Sequence, residues 1–147
     1  MKEQGIRGLP GYLVRHVDEG AKALVIDADV KLEVMPCPHC DSDQVVGFGR
    51  RHRTVIDRPT RGRSVQIQLT VRRLQCKACS RTFCEMLPGV NEKRFMTDRL
   101  VKWIVAQAAK RTYVSIASEI GVAESTIRSI CRDFPDLDLR PRGRQRV

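Results

Sequence analysis

Four cysteines in two equally spaced pairs are the residues best able to do chemistry in this chain. Cys37 and Cys40 lie in PCPHC, Cys76 and Cys79 lie in QCKAC, and 35 residues separate Cys40 from Cys76. A two-residue spacer lets two sulfurs from one tight turn converge on one ion, and zinc takes four soft ligands tetrahedrally. Two such turns make a closed four-thiolate site, so the expectation is one structural Zn2+ that holds the fold and leaves no open position for a reaction. A redox pair would want a βαβ setting, which the sequence lacks, and cytosolic thiols stay reduced. His39 sits between the first two ligands, but the quartet is complete without it. Cys84, in TFCEML, and Cys131, on a helical pattern, read as small core residues.

A second constellation is cationic. GRRHRTVIDRPTRGR and the following VRR hold Arg50, Arg51, Arg53, Arg58, Arg61, Arg63, Arg72 and Arg73, with Asp57 the one acid among them. Such a stretch would grip phosphates largely without regard to sequence, by counterion release. The competing reading is a solvated strand face, since arginines also keep sheet edges from aggregating. Charge across the chain supports a polyanion partner. Residues 1–45 hold five Lys/Arg against eight Asp/Glu, a net of −3, whereas residues 46–147 hold 22 against nine, a net of +13. Arginine supplies 20 of the 27 basic residues, and its planar fork suits phosphate and guanine.

The third constellation is YVSIASEIGVAESTIRSICRDF, residues 113–134. Ala117 is small where two helices would cross, and Gly121 follows four later where a turn needs a left-handed residue. Ile116, Ile120, Val122, Ile127 and Ile130 fall where a helix-turn-helix keeps its shared core. The last helix, opened by Ser125 and Thr126, would lie in the major groove. Its expected DNA-facing set is Ser125, Thr126, Arg128, Ser129 and Arg132, with Arg128 at a guanine edge and Ser125 and Arg132 on phosphates. An ordinary helical hairpin docked on a protein partner, or a homodimer, is the alternative.

These residues need elements to carry them. YLVRHV and ALVIDADVKLEV read as strands with a turn at 18–20. SVQIQLTVRRLQC alternates, placing Val65, Ile67, Leu69 and Val71 on an inner face and Ser64, Gln66, Gln68, Thr70 and Arg72 on an outer one. With QVVGFGRRHRTVID before it and a loop at RPTRGR, this makes a β-hairpin bearing a Cys pair at each end. That hairpin accounts for a spacer longer than the usual 15–20 residues or so. Thr97 is placed to cap a helix running through Leu100, Val101, Ile104, Val105 and Ala108, with Asp98 in its first turn. Trp103 on it reads as packing. A second helix is expected near Val114 and a third near Glu124, ending before Pro135.

Taken together, CPHC, GRRHRTVIDRPTRGRSVQIQLTVRRLQCKAC, RTFCEMLPGV, a Thr-led helix and a helix-turn-helix resemble the N-terminal half of the ISL-three insertion-sequence transposases, over about residues 6 to 134. The resemblance implies a zinc-binding domain and a helix-turn-helix that bind the element's terminal inverted repeats. It also implies a downstream ribonuclease-H-like domain that cuts and joins DNA with three acidic residues and divalent metal ions. Here the sequence departs from the family. Asp133, Asp136 and Asp138 are too clustered to form that trio, so no catalytic residue is assigned. The chain as given is expected not to catalyse transposition, whether it is a fragment or a stand-alone relative.

The fold class expected is α+β: a zinc-ribbon-like antiparallel β domain over residues 1–90, a three-helix helix-turn-helix unit over 91–135, and a basic tail or linker over 136–147. Double-stranded DNA is the expected partner, and a transcriptional regulator of transposon origin is a variant of the same reading. No run of about 18 apolar residues predicts a membrane span. The N-terminus lacks the apolar core and cleavage site of a signal peptide, which leads to the expectation of a bacterial cytoplasmic, nucleoid-associated protein.

Overall fold

The computed structural model describes residues 4–6, 9–31 and 35–134. The expected tail at 136–147, with Asp136 and Asp138, lies outside the described residues. Within them the chain forms a strand-rich sheet followed by three helices. The strands are β1 (Gln4–Ile6), β2 (Leu9–Glu19), β3 (Ala23–Val30), β4 (Val45–Thr60), β5 (Arg63–Cys76), β6 (Thr82–Cys84), β7 (Val90–Asn91) and β8 (Met96–Thr97). The helices are α1 (Asp98–Ala108), α2 (Tyr113–Ile120) and α3 (Glu124–Asp133).

The long hairpin of β4 and β5 is the spine. Val65, Ile67, Leu69 and Val71 are buried in alternation with half-exposed Gln66, Gln68 and Thr70, as a period of two requires. Strand pairing runs to Thr60 opposite Arg63, so the turn is only Arg61 and Gly62, not the wider RPTRGR loop of the sequence reading. Both turn residues have positive φ, 50° and 76°. That is the type I′ geometry whose twist matches the flanking strands, and glycine takes its second position without strain.

The hairpin of β2 and β3 is present, with its turn at Gly20–Lys22, slightly later than expected. It docks by β3 running parallel to β5, from Ala23 opposite Ser64 to Asp29 opposite Thr70. The sheet order is β1-β2-β3-β5-β4-β8-β7, with β6 on the end of β5. The antiparallel expectation therefore describes each hairpin, while the joints β3–β5 and β4–β8 are parallel. The physical reason is a crossover. The chain leaves β3 through the first Cys turn, runs away along β4 and returns along β5, so β3 and β5 share a direction.

Two apolar clusters result. One gathers Leu9, Tyr12, Ile26, Ala28, Val30, Val55, Leu87 and the inner face of β5. The other gathers Met96, Leu100, Val101, Ile104, Val105, Ile116, Ala117, Ile120, Ile127 and Ile130. Cys84 packs on the first and Cys131 on the second, as small apolar residues do. Trp103 packs on the helical cluster with Arg111 over its ring, 5.9 Å from the centroid. No helix among the described residues is long and apolar enough to cross a membrane.

Candidate metal centre and nucleic-acid interface

The two Cys turns are built alike. In the first, the Asp41 N–H donates to the Cys37 carbonyl and the Cys37 N–H to the Ser42 carbonyl. In the second, Ser80 N–H donates to Cys76 O and Cys76 N–H to Arg81 O, the same offsets. Each turn is closed by a residue of positive φ directly after its second cysteine, Asp41 at 63° and Ser80 at 66°. Val45 pairs with Cys76 and the Lys77 N–H reaches the Gln44 carbonyl, which brings the turns face to face.

All four Sγ atoms lie within 4.8 Å of one another. The close pairs cross between turns: Cys37 to Cys79 at 3.6 Å and Cys40 to Cys76 at 3.5 Å. These separations are far longer than a disulfide of about 2.05 Å. They are near the ~3.8 Å edge of a tetrahedron with metal–sulfur bonds of ~2.3 Å. The donor set therefore fits one zinc ion. The Cys79 N–H first, aided by the Cys40 thiol and the Ala78 N–H, draws the Cys76 thiol down to about 7 against its burial, while at Cys40, against the Ser42 N–H, the hydrogen bond to Cys76 and burial push the thiol up to about 12. His39 stands apart from the quartet. Its backbone N–H donates to the Cys37 sulfur at 3.3 Å, whereas its ring Nδ1 lies 3.2 Å from the Arg81 guanidinium.

The helical unit follows from its caps. Thr97 Oγ1 accepts from the Leu100 N–H at 3.2 Å and opens α1. Thr112, which the sequence reading missed, does the same for α2 through the Ser115 N–H at 3.1 Å; a threonine directly before the helical pattern was the available signal. Gly121 closes α2 in the left-handed conformation, φ 81°. The N–H groups of Gly121 and Val122 both return to the Ala117 carbonyl. The capping residue of α3 is Ala123, and no side chain caps it. Ser125 and Thr126 lie inside its first turn.

The arginine hairpin divides by environment. Arg50, Arg51, Arg58, Arg61 and Arg72 are exposed. Arg53 lies over the Phe95 ring at 5.7 Å and Arg73 over Phe48 at 5.6 Å. Arg63 meets Glu19 at 3.4 Å, and Arg72 bonds the buried Glu85 through its guanidinium and its backbone N–H, each at 2.8 Å. Asp57 is thus not the only acid facing these arginines. Glu19 and Glu85, distant in sequence, are brought in by β2 and by the segment after β6.

On α3, Ser125, Arg128 and Arg132 are exposed and Thr126 is half-buried. Arg128 pairs with Glu124 at 2.7 Å, one turn earlier, and lies 5.8 Å over the Tyr113 ring. Ser129 accepts a 2.8 Å hydrogen bond from Arg94, so its hydroxyl is held by the fold, although outward exposure was expected for it. Arg94 also pairs with Asp133. It ties α3 to the turn between β7 and β8, a role that no sequence periodicity signals.

A second buried joint links sheet and helices. Asp57, 2% exposed, accepts from the Arg58 N–H and Thr97 Oγ1, each at 2.7 Å, from Arg99 Nε at 2.9 Å, and from the Arg99 Nη2. Burial alone would raise the carboxyl. The Arg99 and Thr97 donors and the Arg58 N–H outweigh it and hold Asp57 below its ordinary value.

Two family models match the chain. The zinc-finger of transposase IS204/IS1001/IS1096/IS1165 matches residues 33–79, and the helix-turn-helix domain of transposase family ISL3 matches residues 85–134. No curated protein and no solved structure matches it. The first span contains all four clustered cysteines, and the second contains α1, α2 and α3. Over residues 33–134 the chain belongs to the ISL3 transposase family, as that family's zinc-ribbon and helix-turn-helix region.

Proposed function

We propose that this region is a zinc-stabilised, sequence-specific binder of double-stranded DNA that recognises the terminal inverted repeats of a transposable element. One observation carries the reading. A zinc ribbon with exposed Arg50, Arg51, Arg58 and Arg61 is joined to a helix-turn-helix whose third helix exposes Ser125, Arg128 and Arg132. In this reading α3 enters the major groove and Arg128 reads a base edge. Its pair with Glu124 is exposed, so it contributes little and is readily exchanged for guanine. Ser125 and Arg132 contact phosphates beside it, and the hairpin arginines grip the backbone further along. Residues 1–90 and 91–135 act as the two arms of this grip.

The four cysteines hold one ion, which crosslinks both ends of the β4–β5 hairpin and supplies no chemistry to DNA. No catalytic residue is assigned, and cleavage and strand transfer are not attributed to these residues. The test is a gel shift with an inverted-repeat duplex and a random duplex of equal length. Arg128→Ala should weaken the inverted-repeat complex by about 1–3 kcal/mol more than the random one. Equal loss on both would remove Arg128 from base reading. No shift of either duplex at low salt would refute DNA binding and favour a protein-docking module.

A further inference from the structure

The first half of β4 does not behave like a strand that serves a core. Seven consecutive residues, Val46 to His52, are all exposed, although a packed strand should alternate. On one side this stretch pairs with β5. On the other, β4 meets β8 only at Ile56, so among the described residues no strand covers the edge from Val46 to His52. Val46 and Phe48, both on this edge, are 41% and 48% exposed. Phe48 is underpinned by the Arg73 guanidinium.

The glycines flanking Phe48 sharpen the point. Gly49 has φ 105° and marks the bulge where Gly47 opposes Leu74 but Arg50 opposes Arg72. At Gly47 φ is not positive, and a Cβ there would meet nothing within 4 Å. Glycine inside a strand weakens it and marks either a bulge or a close approach; Gly47 stands on the rim of this bulge, and the open space beside it also admits close approach by a group outside the molecule. The stretch from Val46 to His52 holds Arg50 and Arg51 and no acid, with Arg73 alongside. A second copy of the chain pairing on this edge would bring these arginines against their own mates. A nucleic-acid duplex offers the opposite charge, and its sugars and base edges suit an apolar side chain. A groove admits a two-stranded ribbon, and apolar side chains serve as wedges in groove-binding proteins.

We infer that the β4 edge from Val46 to His52 is a second duplex-DNA contact, with Gly47 admitting the sugar–phosphate wall, Phe48 packed on sugars or base edges, and Arg50, Arg51 and Arg73 on phosphates. The inference rests on the DNA-binding reading above and adds to it an apolar contact that charge alone does not supply.

The zinc-loaded chain tests it with two variants and the same pair of duplexes. Phe48→Ala should weaken binding to both roughly tenfold, the order expected for losing one buried apolar side chain. Gly47→Val sets its Cβ where nothing lies within 4 Å, on a strand backbone without positive φ, so its melting temperature should equal or exceed that of the wild type while its DNA affinity falls by a similar factor. Binding of both variants within twofold of wild type would overturn the inference and leave the role of α3 intact. A change in the sedimentation of the DNA-free protein, without loss of DNA affinity, would overturn it in favour of self-pairing. Failure of the wild type to shift either duplex would sink both readings.

Discussion

Replacing Asp57 by alanine probes the joint that sets the helices against the sheet. The carboxylate comes from β4, whereas Thr97 and Arg99 come from the start of α1, some 40 residues later. Alanine would leave the Thr97 hydroxyl and the Arg58 N–H without this acceptor and would take the Asp57 carboxylate away from the Arg99 guanidinium. Breaking a buried ion pair from one side costs about 3–5 kcal/mol. The Arg99 side chain is 26% exposed and can rehydrate in part, which places the expected loss near the low end, about 3 kcal/mol. For a chain of this size that is a fall in melting temperature of about 6–12 °C. Asparagine keeps one oxygen acceptor and should cost about half as much.

The pH dependence follows from the direction of the shift. The folded-state pKa of Asp57 lies below its ordinary 3.8, so its contribution is complete above that value and disappears as pH falls through the folded pKa. The gap between wild type and Asp57→Asn should be full at pH 7 and narrow only below about pH 4. Urea denaturation of the zinc-saturated proteins followed by circular dichroism measures this, with a double-mutant cycle through Arg99→Ala. A loss below about 1 kcal/mol for Asp57→Ala, or a coupling near zero, would refute the assigned role.

Chelation should unfold the ribbon, because a structural zinc contributes about 10–16 kcal/mol, as much as or more than the 5–15 kcal/mol that typically holds a whole domain. Elemental analysis should return one zinc per chain, and a far-ultraviolet spectrum unchanged by chelator would count against the site. Gly121→Ala should destabilise by about 1 kcal/mol in urea, all of it backbone strain at φ 81°, since its Cβ would meet nothing within 4 Å. Arg94→Ala should cost about 1–2 kcal/mol, given that the Asp133 side chain is partly exposed, and should speed amide exchange in α3 more than in α1. Equal acceleration in both helices would mean that Arg94 does not anchor α3.

Local chemistry determined much of this protein from its residues alone. Cys-x-x-Cys confines two sulfurs to one turn whatever surrounds it, so the metal centre was legible from spacing. The alternation of Val65, Ile67, Leu69 and Val71, the Thr97 cap and the Ala117–Gly121 pair were legible for the same reason, because each acts within a few residues. Tertiary structure alone decided which distant groups meet. It set β3 parallel to β5, paired Arg72 with Glu85 and Ser129 with Arg94, and seated Asp57 beneath the first turn of α1. Among the described residues it also left the edge at Val46 to His52 without a paired strand, where the sequence reads only as an ordinary strand. Periodicity assigns a side chain to a face, but only the packed chain determines whether that face meets a core, a counter-charge or open solvent.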